Sequence, residues 1–357
     1  MNHMMQAVNI RSVWSRPIGI CLLFLLILIF VSAPVAAESE TTSEWLPALL
    51  EKESITIVIT DSGLGGLSVL ADAAEKFRQH PAFKKVNLVF FNALFSDQFG
   101  YNGLQTREEK LKVFSSALQS MQDRYAPDII LVACNTLSVL IPDTEFAKAS
   151  SVPVVGIVEE GVEQIAEQLS DNPSAKNIIF ATKTTVDEGT HKNLLLEQGF
   201  TDAQVMTQSC PQLTQHIEQG YDSEYTEMLI DAYVDEALSR MPDAEGPLSV
   251  SFNCTHFGYS LDFWKIAFAS RGVEVAAFLD PNTRMVDFML PPRIQQRYQQ
   301  SEITVQVVSM IDIPADRQDS IGRWLHEVSP VTETALRDFE LKADLFEWRD
   351  LTSDSID

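Results

Sequence analysis

From residue 55 onward, short apolar runs alternate with stretches whose apolar positions recur at helical spacing. Residues 55–60 (ITIVIT) are β-branched and alternate, which predicts a strand; Gly63, Gly65 and Gly66 then mark a tight loop, and 67–77 keep helical spacing. A second strand is predicted over 84–92, and an amphipathic helix over 106–125, opened by Thr106 with Glu109 as its capping-box partner. The same reading gives strands at 129–133, 152–158, 176–182, 248–253, 273–280 and near 303–310. Helices are expected at 159–169, 187–198, 222–240, 282–289 and 314–327. Regular alternation of this kind predicts an α/β fold with one or two parallel sheets. Ligands of such sheets sit beyond the carboxyl ends of the strands.

Two apolar runs end in unusual polar triplets at those positions. The first, DIILVACNTLSVL, ends in Cys134-Asn135-Thr136; the second, LSVSFNCTHFGYS, ends in Cys254-Thr255-His256. The thiols stand 254 − 134 = 120 positions apart. A single buried cysteine is usually a packing residue, but a matched pair beside short hydrogen-bonding side chains points to chemistry. A thiol just before a helix N-terminus has a lowered pKa, and His256, two places after Cys254, is placed to set that thiol's protonation. The DSGLGG loop (61–66) lacks the G-x-G-x-x-G spacing of a dinucleotide site, because Ser68 holds the sixth place. No Lys-Ser or Lys-Thr follows it, so it is not a phosphate-binding loop either. A plain strand-to-helix turn, or amides that receive a small anion, both remain open for it. Zinc spacing of the C-x-x-C or H-x-x-x-H type does not occur. Cys210 precedes a proline without a strong strand before it, and is read as structural.

Composition narrows the setting. Arg11 and Arg16, an apolar stretch at 18–31 and Val35-Ala36-Ala37 have the form of a secretion signal over 1–37, and hence of an exported, periplasmic or otherwise extracytoplasmic protein. The apolar stretch is shorter than the ~20 residues of a spanning helix, so no stable membrane insertion is expected after cleavage. Removing 37 of 357 residues leaves 320, with a net charge of −24 − 2 = −26 because the leader holds two arginines. So acidic a surface argues against nucleic acid as a partner. Three cysteines in the mature chain make no disulfide framework.

The segments DSGLGGLSVL, ACNT, VPVVGIV, SCPQLTQHIEQG and NCTHFGYSL occur in an order and spacing that resemble the glutamate racemase branch of the aspartate/glutamate racemase superfamily. The resemblance covers roughly residues 55–290. It implies two parallel-sheet α/β subdomains in pseudo-twofold relation with the active site between them. The first is expected over 54–158 plus 259–350, the second over 159–258. It also implies a cofactor-independent amino-acid racemase, using neither metal nor pyridoxal phosphate, with a small amino acid as its partner; a homodimer is compatible with it. Racemisation takes the α-proton from one face and returns one on the other, which wants two acid/base groups.

Carried over by position, the resemblance makes Cys134 and Cys254 those groups, assisted by Asp61 and His256 respectively. Ser62, Asn135, Thr136, Thr185 and Thr255 would hold the amino acid, with Phe99 and Gly100 where the family has Tyr-Gly, and Glu218 as a nearby carboxylate. The chain departs from the pattern at Asn92, which stands in place of an acid, in the longer loop NALFSDQFGYNG, and in NCTHFG, where Asn253 replaces glycine. These changes are expected around the substrate side chain, leaving glutamate, aspartate or a broader set open. Two other classes stay in play: an exported amino-acid binding protein on a retired scaffold, and a lyase or isomerase of the same superfamily. Proton exchange at Cα separates the first from the racemase. Loss of carbon dioxide from a malonate-type substrate would reveal a lyase.

Overall fold

The computed structural model describes residues 42–241 and 246–352; the leader read over 1–37 lies outside the described residues. Among the described residues, ten strands form two wholly parallel sheets. The first contains β1 (Ser54–Asp61), β2 (Lys85–Asn92), β3 (Ile129–Val132), β4 (Val154–Gly156), β9 (Glu302–Ser309) and β10 (Glu340–Leu341) in the order β10-β9-β2-β1-β3-β4. The second contains β5 (Lys176–Ala181), β6 (Val205–Ser209), β7 (Leu248–Asn253) and β8 (Val275–Leu279) in the order β6-β5-β7-β8. Both sheets therefore repeat one plan. The second strand lies on one side of the first, and the third and fourth lie on the other. Cys134 follows the third strand of one sheet and Cys254 the third strand of the other.

Helices cover the sheet faces. They are α1 (Thr42–Glu51), α2 (Leu67–Gln79), α3 (Arg107–Tyr125), α4 (Asn135–Ser138), α5 (Glu145–Ala149), α6 (Val158–Ser170), α7 (Lys183–Glu188) and α8 (Thr190–Glu197), then α9 (Leu213–Gly220), α10 (Glu224–Arg240), α11 (Leu261–Ser270), α12 (Ala315–Val328) and α13 (Pro330–Arg337). None among the described residues is long and apolar enough to cross a membrane. Burial on both faces explains the continuous apolar runs. On β3, Ile129 and Leu131 pack into one cluster while Ile130 and Val132 pack into another. On β5, Ile178 and Phe180 face one way and Ile179 and Ala181 the other. The α3 capping box forms as expected: Thr106 Oγ1 accepts from the Glu109 N–H, and Glu109 Oε2 accepts from the Thr106 N–H.

The structure moves several expected boundaries. The return to the first sheet was expected at residue 259, but β8 pairs with β7 and completes the second sheet, so the return comes after Leu279. The helix expected over 187–198 is two helices broken at Gly189, whose φ of +68° is a left-handed conformation suited to glycine. The segment 282–289 forms only short 3-10 turns. Cys210 does follow a strand, β6, which is hard to read from sequence because VMTQS is a half-polar edge strand that pairs, among the described residues, only with β5. The described residues cluster as one compact unit.

Candidate active site

The carboxyl ends of β1, β3, β5 and β7 open onto a cavity of about 180 Å³. That is below the ~300–1,000 Å³ typical of drug-sized sites and suits a single small metabolite. Cys134, Cys254, Asp61, His256, Ser62, Asn135, Thr136, Thr185, Thr255, Phe99, Gly100 and Glu218 all line it. Each sheet contributes one thiol, and both thiols are nearly buried at 6% and 5% exposure.

The surroundings of the two thiols differ. Ser62 Oγ lies 3.2 Å from Cys134 Sγ. Burial, and then the charge of Asp61, push the Cys134 thiol well up, which keeps it protonated. Asp61 is itself buried, which raises its carboxyl despite a hydrogen bond accepted from Thr255 Oγ1 at 2.7 Å. Cys254 Sγ instead faces His256 Nδ1 at 3.8 Å. The other ring nitrogen, Nε2, is 2.9 Å from Glu218 Oε1. Burial alone would lower this imidazole, but its hydrogen bonds to Cys254 and Glu218 outweigh that and hold it well above the ordinary histidine value. Burial likewise disfavours the Glu218 carboxylate, and the His256 cation overrides it, so Glu218 ends below its ordinary value. The pair is best described as imidazolium and carboxylate.

Three hydroxyls that line the cavity meet one another. Thr136 Oγ1 lies 3.2 Å from Thr182 Oγ1 and 3.3 Å from Thr185 Oγ1, and the latter two are 3.0 Å apart. Thr182 earns its place as the N-cap of α7, where its side chain accepts from the Thr185 N–H. Next in the chain to Thr136, Asn135 has its Oδ1 3.0 Å from His191 Nε2. Burial drops this imidazole to about 4, so it is neutral; an amide oxygen can only accept, which puts the ring proton on Nε2. Asn135 Nδ2 is left buried without a partner.

The glycines of the DSGLGG loop serve close approach. A Cβ at Gly65 would stand 2.6 Å from His256 Nδ1 and closer still to Thr255 Oγ1; one at Gly63 would stand 2.9 Å from Glu218 Oε1. The loop does receive an anion, but an internal one: the Leu64 N–H donates to Glu218 Oε1 at 2.8 Å.

Two departures read differently in three dimensions. Asn92 does not face the cavity. It is buried in the first sheet, donating to Ser309 Oγ at 3.1 Å and accepting from the Leu94 N–H at 3.0 Å, so it braces the start of the long loop. Phe95 and Phe99 in that loop pack on Trp348 at ring separations of 5.0 and 6.0 Å. Asn253 does line the cavity, and its side-chain amide is buried without partners against Gly161 of α6. Sequence reasoning missed Thr182, His191, Thr214, Gln215 and Arg317. Only Thr182 had a local signal, as a cap residue one place past an apolar run. Among the described residues no group of three or more His, Cys, Asp or Glu side chains could hold a metal ion.

Residues 57–257 match the model of the Asp/Glu/Hydantoin racemase family. Curated relatives include the glutamate racemase of Aquifex pyrophilus, 28% identical over 202 residues that span 56% of this chain and 70% of that protein. That of Campylobacter concisus is 27% identical over 231 residues, 65% of this chain and 77% of the relative. Among solved structures, the glutamate racemase of Campylobacter jejuni superposes with a TM-score of 0.55 at 18% identity, covering 76% of this chain and 98% of that one. The Aquifex pyrophilus enzyme gives 0.53 at 23% identity, covering 78% and 97%. With its two repeated parallel sheets and a family match over more than half its length, this chain belongs to the Asp/Glu/hydantoin racemase family.

Proposed function

We propose that this protein is a cofactor-independent amino-acid racemase in which Cys134 and Cys254 work on opposite faces of one α-carbon, with acidic amino acids as the leading substrates. The observation that carries the reading is the pair of thiols at equivalent strand ends of two sheets, lining one small cavity. In one direction the Cys254 thiolate takes the Cα proton: the C–H bond breaks, its electrons stay on carbon, and an S–H bond forms. The Cys134 thiol then gives its own proton to the other face. The next turnover in the opposite direction reverses the two roles. Cys134 is suited to be the waiting acid because burial and Asp61 keep it protonated, and on the other side the His256 ring stands 3.8 Å from Cys254 Sγ, within reach of that thiol's proton. The unpaired Asn135 amide and the Thr136, Thr182 and Thr185 hydroxyls offer donors for the substrate carboxylate. Glutamate racemases are the named relatives, and a glutamate racemase from Francisella tularensis has been solved with D-glutamate, which supports glutamate as the first substrate to try and aspartate as the second.

The test is deuterium incorporation at Cα in heavy water, without added cofactor. The unsubstituted protein should exchange and invert the substrate. Cys134→Ser and Cys254→Ser should each abolish inversion while retaining exchange of a different enantiomer. Tight binding of an amino acid with no exchange would overturn the proposal in favour of a binding protein. The same proposal takes residues 1–37 as a secretion signal, on the strength of Arg11, Arg16, the apolar stretch 18–31 and the Val35-Ala36-Ala37 cleavage sequence. N-terminal sequencing of protein from the producing cell should begin just after Ala37, and an intact Met1 would refute cleavage.

A further inference from the structure

We infer that Arg317 is a positioning residue for the reaction: from α12 it holds the Glu218 carboxylate against His256, and so fixes the His256 cation beside Cys254. The inference rests on the racemase reading for its kinetic consequences, but its geometry stands independently.

The contacts form one line through the protein. Arg317 Nη1 donates to Glu218 Oε2 at 3.0 Å. Glu218 Oε1 accepts from the Leu64 N–H at 2.8 Å and meets His256 Nε2 at 2.9 Å, and His256 Nδ1 faces Cys254 Sγ. The Glu218 and His256 side chains are each 7% exposed, whereas Arg317 is 26% exposed. Burying a carboxylate this deeply is unfavourable unless its lone pairs and charge are matched. Oε1 has two partners, and Arg317 is the partner of Oε2. Without Arg317, that oxygen loses its charged donor and the carboxyl is easier to protonate or to swing away. Cys134 is placed differently: its neighbours are Ser62 and Asp61, and Asp61 accepts from Thr255 Oγ1 rather than from an arginine. Arg317 thus makes the two thiols chemically unequal.

Arg317 also lies outside the segment shared with the family model, which ends at residue 257, and it lines the cavity from α12, which follows β9 of the first sheet, while Glu218 sits on α9, between β6 and β7 of the second. The charged and titratable groups near the Glu218–His256 pair are Asp61 from the end of β1, Cys254 after β7, Tyr259, whose ring meets the imidazole in a T-shaped contact at 6.4 Å, and Arg317 from α12. The nearby Arg323 and Asp222 pair with each other at 2.7 Å. Arg317 is therefore the group whose removal changes the charge around Glu218.

The experiment compares Arg317→Gln and Arg317→Lys with the unsubstituted full chain. In R317Q the acidic limb of the kcat/KM profile should move up by about one pH unit, the low end expected for one nearby opposite charge that is partly exposed to solvent. kcat should fall about 10-fold, the worth of one charge-assisted hydrogen bond, with little change in KM. R317K should retain most of the unsubstituted behaviour. Nitrogen NMR of the His256 ring, assigned by its loss in His256→Asn, should show the ring titrating differently in R317Q. A raised KM for acidic substrates with an unchanged pH profile would overturn the inference and make Arg317 a substrate clamp. An unchanged His256 titration would overturn it even if no racemase activity were found, whereas a changed titration in a protein that racemises nothing would sink only the racemase reading. The guanidinium signals of Arg317 in the unsubstituted protein give a further reading should R317Q fail to fold. They should respond to protonation of the Glu218 pair, and signals blind to pH would refute the contact.

Discussion

Replacing Gly65 by alanine should disable the site while leaving the chain folded. A Cβ at this position would stand 2.6 Å from His256 Nδ1 and 2.8 Å from its Cε1, with Thr255 Oγ1 nearer still. Ordinary contact begins near 3.4 Å, so the imidazole must retreat by about 3.4 − 2.6 = 0.8 Å. Neither neighbour is a loose end. Thr255 and His256 are 3% and 5% exposed, and they are tied to Asp61 and Glu218. Overpacking of this kind costs about 1–3 kcal/mol. Alanine's smaller loss of unfolded-state freedom offsets about 0.4–1 kcal/mol of that, because Gly65 has no left-handed φ to forbid a side chain. The net loss, on the order of 1–2 kcal/mol, is one a domain of ordinary stability survives, and Tm should fall by roughly 2–8 °C. Catalysis is less forgiving, since displacing a reacting group by about 1 Å costs roughly 100-fold. Polarimetric initial rates and a thermal melt on the same sample check both expectations. A G65A protein with kcat/KM within about a factor of two of the original and an unchanged Tm would show that this loop does not seat Thr255 and His256.

Three further outcomes follow from the site. Thr255→Val removes the donor to the buried Asp61 carboxyl and should destabilise the protein by about 1–3 kcal/mol, read as the midpoint of urea unfolding; an unchanged midpoint would mean that the hydrogen bond is not formed in solution. The His256–Glu218 pair should be worth most between pH 4.5 and 6.5, the ordinary values of the two groups. The raised His256 contribution fades as pH climbs above that window toward its folded value, and the lowered Glu218 contribution fades as pH falls below it. The Tm gap between the unsubstituted protein and His256→Asn should therefore narrow on either side, and a gap that widens steadily with pH would contradict the ion pair. His191 works in the opposite sense. Its unfolded form takes a proton below 6.5 and its folded form only near 4, so stability on the order of 3 kcal/mol is lost as pH falls through that interval. Melts of His191→Gln, which has no such proton to take up, should be flatter there.

Much of this could be read from the chain because doubly covered parallel strands write themselves as unbroken apolar runs. Cys134 and Cys254 stood out since each ends such a run, and the loop between β1 and α2 stood out by its glycines. What the loop's glycines are for could not be read, because the atoms they make room for, on Thr255 and His256, lie about 190 positions away. Arg317 was invisible for the same reason: it meets Glu218 across 99 residues, from a helix with nothing unusual in its own pattern. β6 was hidden by its polar, edge-strand composition. The assignment of β8 to the wrong sheet is instructive, since VEVAAFLD announces a strand but nothing in it names the neighbour it will pair with.

The largest apolar cluster ignores the division into two sheets. It takes Ile57 and Ile59 from β1, Ile178 and Phe180 from β5, Val250 and Phe252 from β7, Trp264 from α11 and Leu325 from α12. Neither repeat can thus become a folding unit alone, since each would present a dry face to water. Denaturation should proceed as one transition, with calorimetric and van't Hoff enthalpies in agreement, where two loosely joined lobes would give two. It follows that the thiols are brought to a common cavity in that same cooperative transition, when the two layers close on each other. A partly folded chain would carry both cysteines, but separately, and neither could pass a proton through a substrate to the other.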